Sequence, residues 1–354
     1  MSKSHQFLYE LVNTPSPSGY EELVQSKWLN YVQPFADELR TDHAGNAYAI
    51  LNPNAPFKVL IAGHADEIGF LVKSIDERGF IYVEKLGGIS PANALGMEVT
   101  IHGERGEVTG TFGTNAEHHG GAKDKITVDD LYIDIGATSK DEVMQYIRVG
   151  DPATYNVTPK TLLNQRISAR GLDNRSGAYI VAEVIRRLQG EKVQVGVYGV
   201  STVNEETNMG GAYFAGAQVS PTMAIALDVT FATDYPSSDP KKNGDVQLGK
   251  GPVLAIGAPI NRKINGLFER VASEHGIDLQ YELTPRTTGT DADRLRVTGR
   301  GVPVAVVSLP LRYMHAPREV VSLEDIELEI ELLVRFILSL EGKEGLKPVE
   351  EPSN

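Results

Sequence analysis

Residues 59–70 read VLIAGHADEIGF, and two different rhythms meet inside them. Val59 to Ala62 is an unbroken aliphatic run, the pattern of a strand buried on both faces of a sheet. It delivers His64 and Asp66, and then Ile68-Gly69-Phe70 opens text of another kind. From about 69 to 165 short alternating strands are punctuated by glycine, at Phe70–Ile75, Phe80–Lys85, Glu98–His102, Gly106–Phe112, Leu131–Ile135 and Pro152–Thr154. A single short helix, Lys140–Ile147, fits among them. Such a block reads as a small β-rich unit inserted into a host.

The host lies on both sides of that block. Helices are expected at residues 2–13 and 21–33, split by the turn Thr14-Pro-Ser-Pro-Ser-Gly19, with strands near 37–40, 47–51 and 57–62. After 166, helix and strand alternate: Asn174–Arg187, Val193–Val200, Gly210–Ala217, Met223–Val229, Ile264–His275, Val302–Leu309 and Glu324–Leu340. Ser322 is placed to cap the last helix, with Asp325 at its third position. This alternation gives an α/β fold, a mostly parallel sheet with helices on both faces. Three segments follow: 1–68 and 166–354 as the two parts of a catalytic domain, and 69–165 as the insert.

Formal net charge is −13, from 34 basic and 47 acidic residues, which argues against nucleic acid and against an anionic membrane surface. Cysteine is absent, so no thiol nucleophile or disulfide exists and any metal must be held by histidine and carboxylate. The polar start and the lack of an apolar span make the cytoplasm the expected location. The polar stretch Glu341–Asn354 reads as a frayed tail.

Four aliphatic runs each deliver ligand-type side chains: His64 and Asp66, Glu205 and Glu206, Asp228, and His315. Strand carboxyl ends are where open α/β sheets place their ligands. Taken singly, each has a bland alternative: a hydrogen-bonded pair, solvated loop acids, a turn cap. Asp173, in Gly171-Leu172-Asp173-Asn174, is either a helix N-cap or a carboxylate between two metals. Together, two histidines and several acids point to two cations, with Zn²⁺, or Co²⁺ and Mn²⁺, suiting the mixture better than Ca²⁺ or Mg²⁺. His64 and Asp66 share a strand face, so Asp66 can hold the second nitrogen of His64. Adjacent Glu205 and Glu206 serve one site only if the chain turns there, and Thr207–Gly211 supplies the turn.

The chain resembles the tetrahedral (TET) di-metal aminopeptidases, a family that includes glutamyl and deblocking aminopeptidases and in which some relatives carry an endoglucanase label. The stretches that carry the resemblance are Pro17-Ser18-Gly19-Tyr20-Glu21, GHADEIGF, GLDNRSG, NEET, ALDV, Thr290-Asp291-Ala292, and RYMH followed by EVVSLEDI, spread over nearly the whole chain. The resemblance implies that Asp173 bridges the metals, that His64 and Asp228 complete one ion and Glu206 and His315 the other. It implies that Glu205 is the general base, that Asp66 orients His64 and that the Asp173–Asn174 bond is cis. It also implies that the insert is a PDZ-like oligomerisation domain, in assemblies from dimers to dodecameric tetrahedra. One departure is Ala316, where the family usually has serine after the histidine.

The expected function is a metal-dependent aminopeptidase that hydrolyses N-terminal residues of peptides through a di-metal-activated water. A glycoside hydrolase and a non-catalytic assembly protein are the alternatives. The first would need two carboxylates and no histidine; the second would be expected to lose Glu205 or a ligand. His118-His119 reads as an exposed loop, Gly249-Lys250-Gly251-Pro252 lacks phosphate-loop spacing, and no Gly-x-Ser-x-Gly elbow is present.

Overall fold

A computed structural model describes residues 3–121 and 125–349. Helices α1 (Lys3–Asn13) and α2 (Glu22–Val32) come first, then strands β1 (Glu38–Thr41), β2 (Ala47–Leu51) and β3 (Lys58–His64). Strands β4 (Gly69–Ile75), β5 (Ile81–Leu86), β6 (Glu98–Gly103), β7 (Gly106–Phe112), β8 (Tyr132–Asp134) and β9 (Pro152–Tyr155) follow, with helix α3 (Lys140–Val143) between the last two. These six strands close into a barrel with its own apolar core of Phe70, Val83, Ile101, Phe112, Ile133 and Tyr155.

Next come β10 (Lys160–Leu162), β11 (Arg166–Ala169), α4 (Leu172–Leu188), β12 (Gly196–Thr202), α5 (Glu205–Asn208), α6 (Gly210–Val219), β13 (Met223–Phe231) and α7 (Pro240–Asn243). The chain continues through β14 (Val253–Gly257), α8 (Arg262–His275), β15 (Gln280–Thr284), α9 (Ala292–Leu295), β16 (Val304–Leu311), β17 (Glu319–Ser322) and α10 (Leu323–Ser339). The main sheet runs β1-β2-β12-β3-β13-β16-β14-β15. Its centre, β12-β3-β13-β16, is parallel throughout; β2 and β14 join it antiparallel. Val59, Ile61, Ile225 and Leu227 face the layer of α1, α2, α4, α8 and α10, while Leu60, Ala62, Ala224 and Ala226 face α6 and α9. The α/β architecture with helices on both faces is therefore as the sequence implies. Ser322 caps α10 by accepting a hydrogen bond from the Asp325 amide.

The structure departs from the sequence reading in three places. Strands β14 and β15 extend the sheet, and β15 is an edge strand whose alternating exposure follows the period-2 pattern of Gln280–Thr284. A separate antiparallel sheet joins β10, β11 and β17, strands of three or four residues whose pairing is set by contacts distant in sequence. The helix expected over Lys140–Ile147 stops at Val143 and continues as single turns. The stretch after Val349 and residues 122–124 lie outside the described residues.

One close approach positions the site. A Cβ at Gly63 would lie 2.6 Å from the Gly177 carbonyl carbon, so β3 packs backbone against backbone on α4. That contact brings His64, at the end of β3, beside Asp173, in the first turn of α4.

Candidate metal centre and active site

Side chains from five segments converge at the carboxyl end of the parallel strands. His64 ends β3, Asp228 lies in β13, Asp173 opens α4, Glu205 and Glu206 form the turn after β12, and His315 sits on the loop between β16 and β17. That turn begins earlier than expected: Asn204 and Met209 take left-handed backbone (φ 58° and 57°) on either side of one helical turn. Consecutive residues on a helical turn diverge by about 100° rather than the 180° of a strand, which lets both glutamates enter one cavity.

His64 Nε2 lies 3.3 Å from Asp173 Oδ1, 3.6 Å from Glu205 Oε2 and 4.0 Å from Asp228 Oδ1. His315 Nε2 lies 3.1 Å from Asp173 Oδ2 and 3.3 Å from Glu206 Oε2. The two oxygens of Asp173 thus face two different histidines. Candidate ligand atoms of His64, Glu205 and Asp228, and of His64, Asp173 and Glu206, fall within 4.8 Å of one another. All seven residues singled out from the sequence are brought together. The Asp173–Asn174 peptide is cis, and Asn174 ties the start of α4 to β13 by donating from Nδ2 to the Leu227 carbonyl at 2.8 Å.

Residues 45–332 match the M42 glutamyl aminopeptidase family. The chain belongs to this family. The aminopeptidase is similar to the lysyl aminopeptidase of Pyrococcus furiosus, at 34% identity over 353 residues that cover 98% of each chain. Its fold is similar to that of the TET aminopeptidase from the marine sediment archaeon Thaumarchaeota archaeon SCGC AB-539-E09 (TM-score 0.91, 32% identity, 96% of this chain and 97% of that one). It is also similar to the Pyrococcus horikoshii TET1 peptidase, which can assemble into a tetrahedron or a large octahedral shell (TM-score 0.85, 29% identity, 96% and 100% covered). The resemblance drawn from the sequence is borne out. The protein is a hydrolase of N-terminal peptide bonds, and neither alternative function gains comparable support.

The electrostatics of the aminopeptidase follow from crowding acids in a buried place. Burial and the charges of Asp228, Asp291 and Glu206 push Glu205 up to about 10, against the pull of His64. Burial and Asp173 push Glu206 up to about 7. Burial alone would lower the imidazoles, but Glu205, Asp173 and Asp66 hold His64 well above its ordinary range, and Asp173 and Glu206 hold His315 up to about 11. Two glutamates and two imidazoles shifted upward together mark a pocket that draws positive charge, while, against burial, the histidines hold Asp173 below the usual carboxylate range. Glu206 Oε1 is buried with no hydrogen-bond partner, an acceptor a cation would complete. The donor set of imidazole nitrogen and carboxylate oxygen fits divalent transition metals.

Supporting residues carry more work than the sequence suggests. Asp66 lies beside His64 Nδ1, with its backbone carbonyl at 3.1 Å and Oδ1 at 3.4 Å. Its carboxylate also accepts from the amides of Glu205 (3.0 Å) and Glu206 (3.2 Å) and from the Ser18 hydroxyl (2.6 Å), so it fixes the glutamate pair as well as the histidine. Burial would raise Asp66, yet the interactions with His64, Ser18 and the Glu205 amide hold it below the usual carboxylate range. Glu319 went unread in the sequence. It accepts from the amides of Asp173 (3.1 Å) and His315 (2.9 Å) and so links the two ligand segments. Its signals were an acid opening the apolar run Glu319-Val-Val and its place at the head of EVVSLEDI, a stretch that carried the resemblance but gave this residue no role. Asp291, inside a stretch that carried the family resemblance but was assigned no role, is buried, accepts from the Thr202 hydroxyl and keeps Oδ1 unpartnered.

His118 and His119 are exposed, as the sequence suggests. Ala316 contributes a backbone N–H to the Tyr313 carbonyl at 3.0 Å. Among the described residues no helix is long and apolar enough to cross a membrane.

Proposed function

We propose that His64, Asp173, Glu206, Asp228 and His315 hold two divalent transition-metal ions, Zn²⁺ or else Co²⁺ or Mn²⁺, with Asp173 between them. The observation that carries this reading is the division of the Asp173 carboxylate, one oxygen toward each histidine. Such ions, when bound, supply Lewis acidity toward a peptide carbonyl and lower the pKa of water. Glu205, buried beside the cluster with its Oε2 3.6 Å from His64, takes a proton as a carboxylate from the attacking water and passes it to the leaving amine, a general base and then a general acid. Asp66 holds His64 and the two glutamate amides in register. The acidic groups of the cavity favour a free substrate α-amine, which restricts cleavage to the N-terminal residue.

The same reading divides the chain into 1–68, 69–165 and 166–354, with the closed barrel of the middle segment as a PDZ-like self-assembly unit. Its separate core supports that division, and the assembly of the Pyrococcus horikoshii relative into a tetrahedron or a large octahedral shell supports self-assembly, read here as a dimer to dodecamer. The cysteine-free composition is in keeping with a cytoplasmic enzyme.

The test combines elemental analysis with aminoacyl and α-N-acetylated chromogenic substrates, before and after chelation, with Zn²⁺, Co²⁺ or Mn²⁺ returned. Up to two ions per chain and metal-restored cleavage of the free-amine substrates only are expected. A fully active sample without bound transition metal sinks the metal assignment. Equal cleavage of acetylated substrates sinks the exopeptidase assignment.

A further inference from the structure

The ligand cluster forms one end of a cavity of about 520 Å³, lined further by Thr230, Phe231, Glu282, Thr288, Arg294 and Met314. A volume of that size admits an amino-acid side chain as well as the reacting peptide bond. Glu282 comes from the outermost strand, β15, and takes no part in the chemistry proposed above. Its carboxylate reaches back across the sheet. It accepts from the Ser308 hydroxyl at 3.1 Å and from the Thr230 hydroxyl. Ser308 is the register partner of Asp228, and Thr230 lies two residues beyond Asp228 on the same face of β13. Both hydroxyls therefore stand next to Asp228 of the ligand cluster and hold Glu282 at a fixed place beside it.

We infer that Glu282 is the recognition group for a cationic N-terminal side chain, so that peptides beginning with lysine or arginine are the preferred substrates. This rests on the reading of the cluster as the centre that cleaves N-terminal residues. A substrate held there by its first carbonyl and α-amine has its first side chain free to extend along the cavity, and the aliphatic stem of lysine or arginine suits a wall that includes Phe231 and Met314. Burial lifts the Glu282 carboxyl above its ordinary range, and an ammonium or guanidinium group offsets that cost. Arg294 offers the opposite choice, an acidic side chain. It is exposed, however, and its Nε already donates to the Asn208 carbonyl at 3.2 Å. A charge in that setting discriminates less than one fixed by two hydroxyls in a half-buried position.

The experiment compares Lys-, Arg-, Leu- and Glu-aminoacyl substrates with one leaving group, on the metal-loaded full chain and on Glu282→Gln. The Lys and Arg substrates should exceed Leu and Glu in kcat/KM by about tenfold or more, the scale of a hydrogen bond to a charged group. Glu282→Gln should erase that preference chiefly through KM and leave the Leu substrate unchanged. Leu or Glu substrates preferred by the unaltered protein overturn the inference, whatever the variant does. An equal loss on all substrates in Glu282→Gln also overturns it, because the residue is then structural. Cleavage of none of the four substrates by the metal-loaded protein defeats the aminopeptidase reading of the cluster itself.

Discussion

His64 ends a strand buried in the centre of the main sheet, whereas His315 sits on a loop with left-handed backbone at φ 60°. Their side chains are 2% and 30% exposed. His64 is fixed by its own strand, by Asp66 two residues on and by the backbone approach of the adjacent Gly63 to Gly177. His315 is fixed locally only through its amide, which donates to Glu319, and from a distance through its Nδ1, which lies 3.1 Å from the carbonyl of Gly88, just after barrel strand β5. A Cβ at Gly88 would stand 2.7 Å from that nitrogen. One half of the site thus belongs to the sheet, and the other half leans on the barrel. Two residues of the same type, facing the two oxygens of one carboxylate, owe their positions to different parts of the fold.

The strongest way to sharpen the contrast uses the paired glutamates, one near each histidine. Glu205→Gln keeps shape but cannot accept a proton, so kcat should fall by about 10²–10⁴-fold with metal stoichiometry unchanged. Glu206→Gln should instead lower metal occupancy, with excess metal restoring part of the rate. Metal content and single-turnover rates, measured on both variants, decide the matter; metal loss in Glu205→Gln alone reverses the assignment.

A smaller effect tests the dependence on the barrel. Gly88→Ala should displace the His315 imidazole and weaken metal affinity at that half by about 10–100-fold, the usual cost of losing a partner behind a ligand. The His64 half should keep its ion. Calorimetric metal titration should resolve one weakened and one unchanged site. Two unchanged sites would show that the barrel contact does not position His315.

A last test reads stability rather than activity and lies in the support of the His64 half. Glu67, next to Asp66, is buried and receives Arg175 through Nη2 at 2.7 Å and Nη1 at 2.9 Å, together with Arg170. Burial would raise its carboxyl, but the two guanidinium groups hold it at about 2 against an ordinary value of 4.5. A group whose folded value lies below its unfolded one stabilises fully above about pH 4.5 and loses that contribution as pH falls toward 2. The shift corresponds to about 3 kcal/mol at most. Burial and the neighbouring Arg170 cost Arg175 part of its own basicity, which reduces the net gain. In urea unfolding, the stability gap between the native sequence and Glu67→Gln should narrow as pH drops from 5 to 2. A constant gap would remove the charge interaction as its source.

Much of this was legible because local rules and tertiary environment agree. An aliphatic run such as Val59–Ala62 specifies a buried strand, and a histidine at its end has one place to go. The same held for Asp228. The glutamate turn was located one helical turn late, because left-handed Asn204 and Met209 leave only a weak mark in sequence. Glu319 and Glu282 were not assigned, since an acid on a strand of four or five residues has the same local pattern whether it faces solvent or a cavity.

By itself the sequence determined the alternation of strands and helices, the change to glycine-punctuated strands near residue 69, and the residue types available to hold a cation. These depend on periodicity and composition, which act over a few residues. Only the tertiary structure decided that Asp173 meets both histidines, that Asp66 serves two glutamate amides, and that a barrel carbonyl supports His315. Those contacts join segments up to 227 residues apart, and their geometry is fixed by packing and by backbone approach, to which no local pattern corresponds.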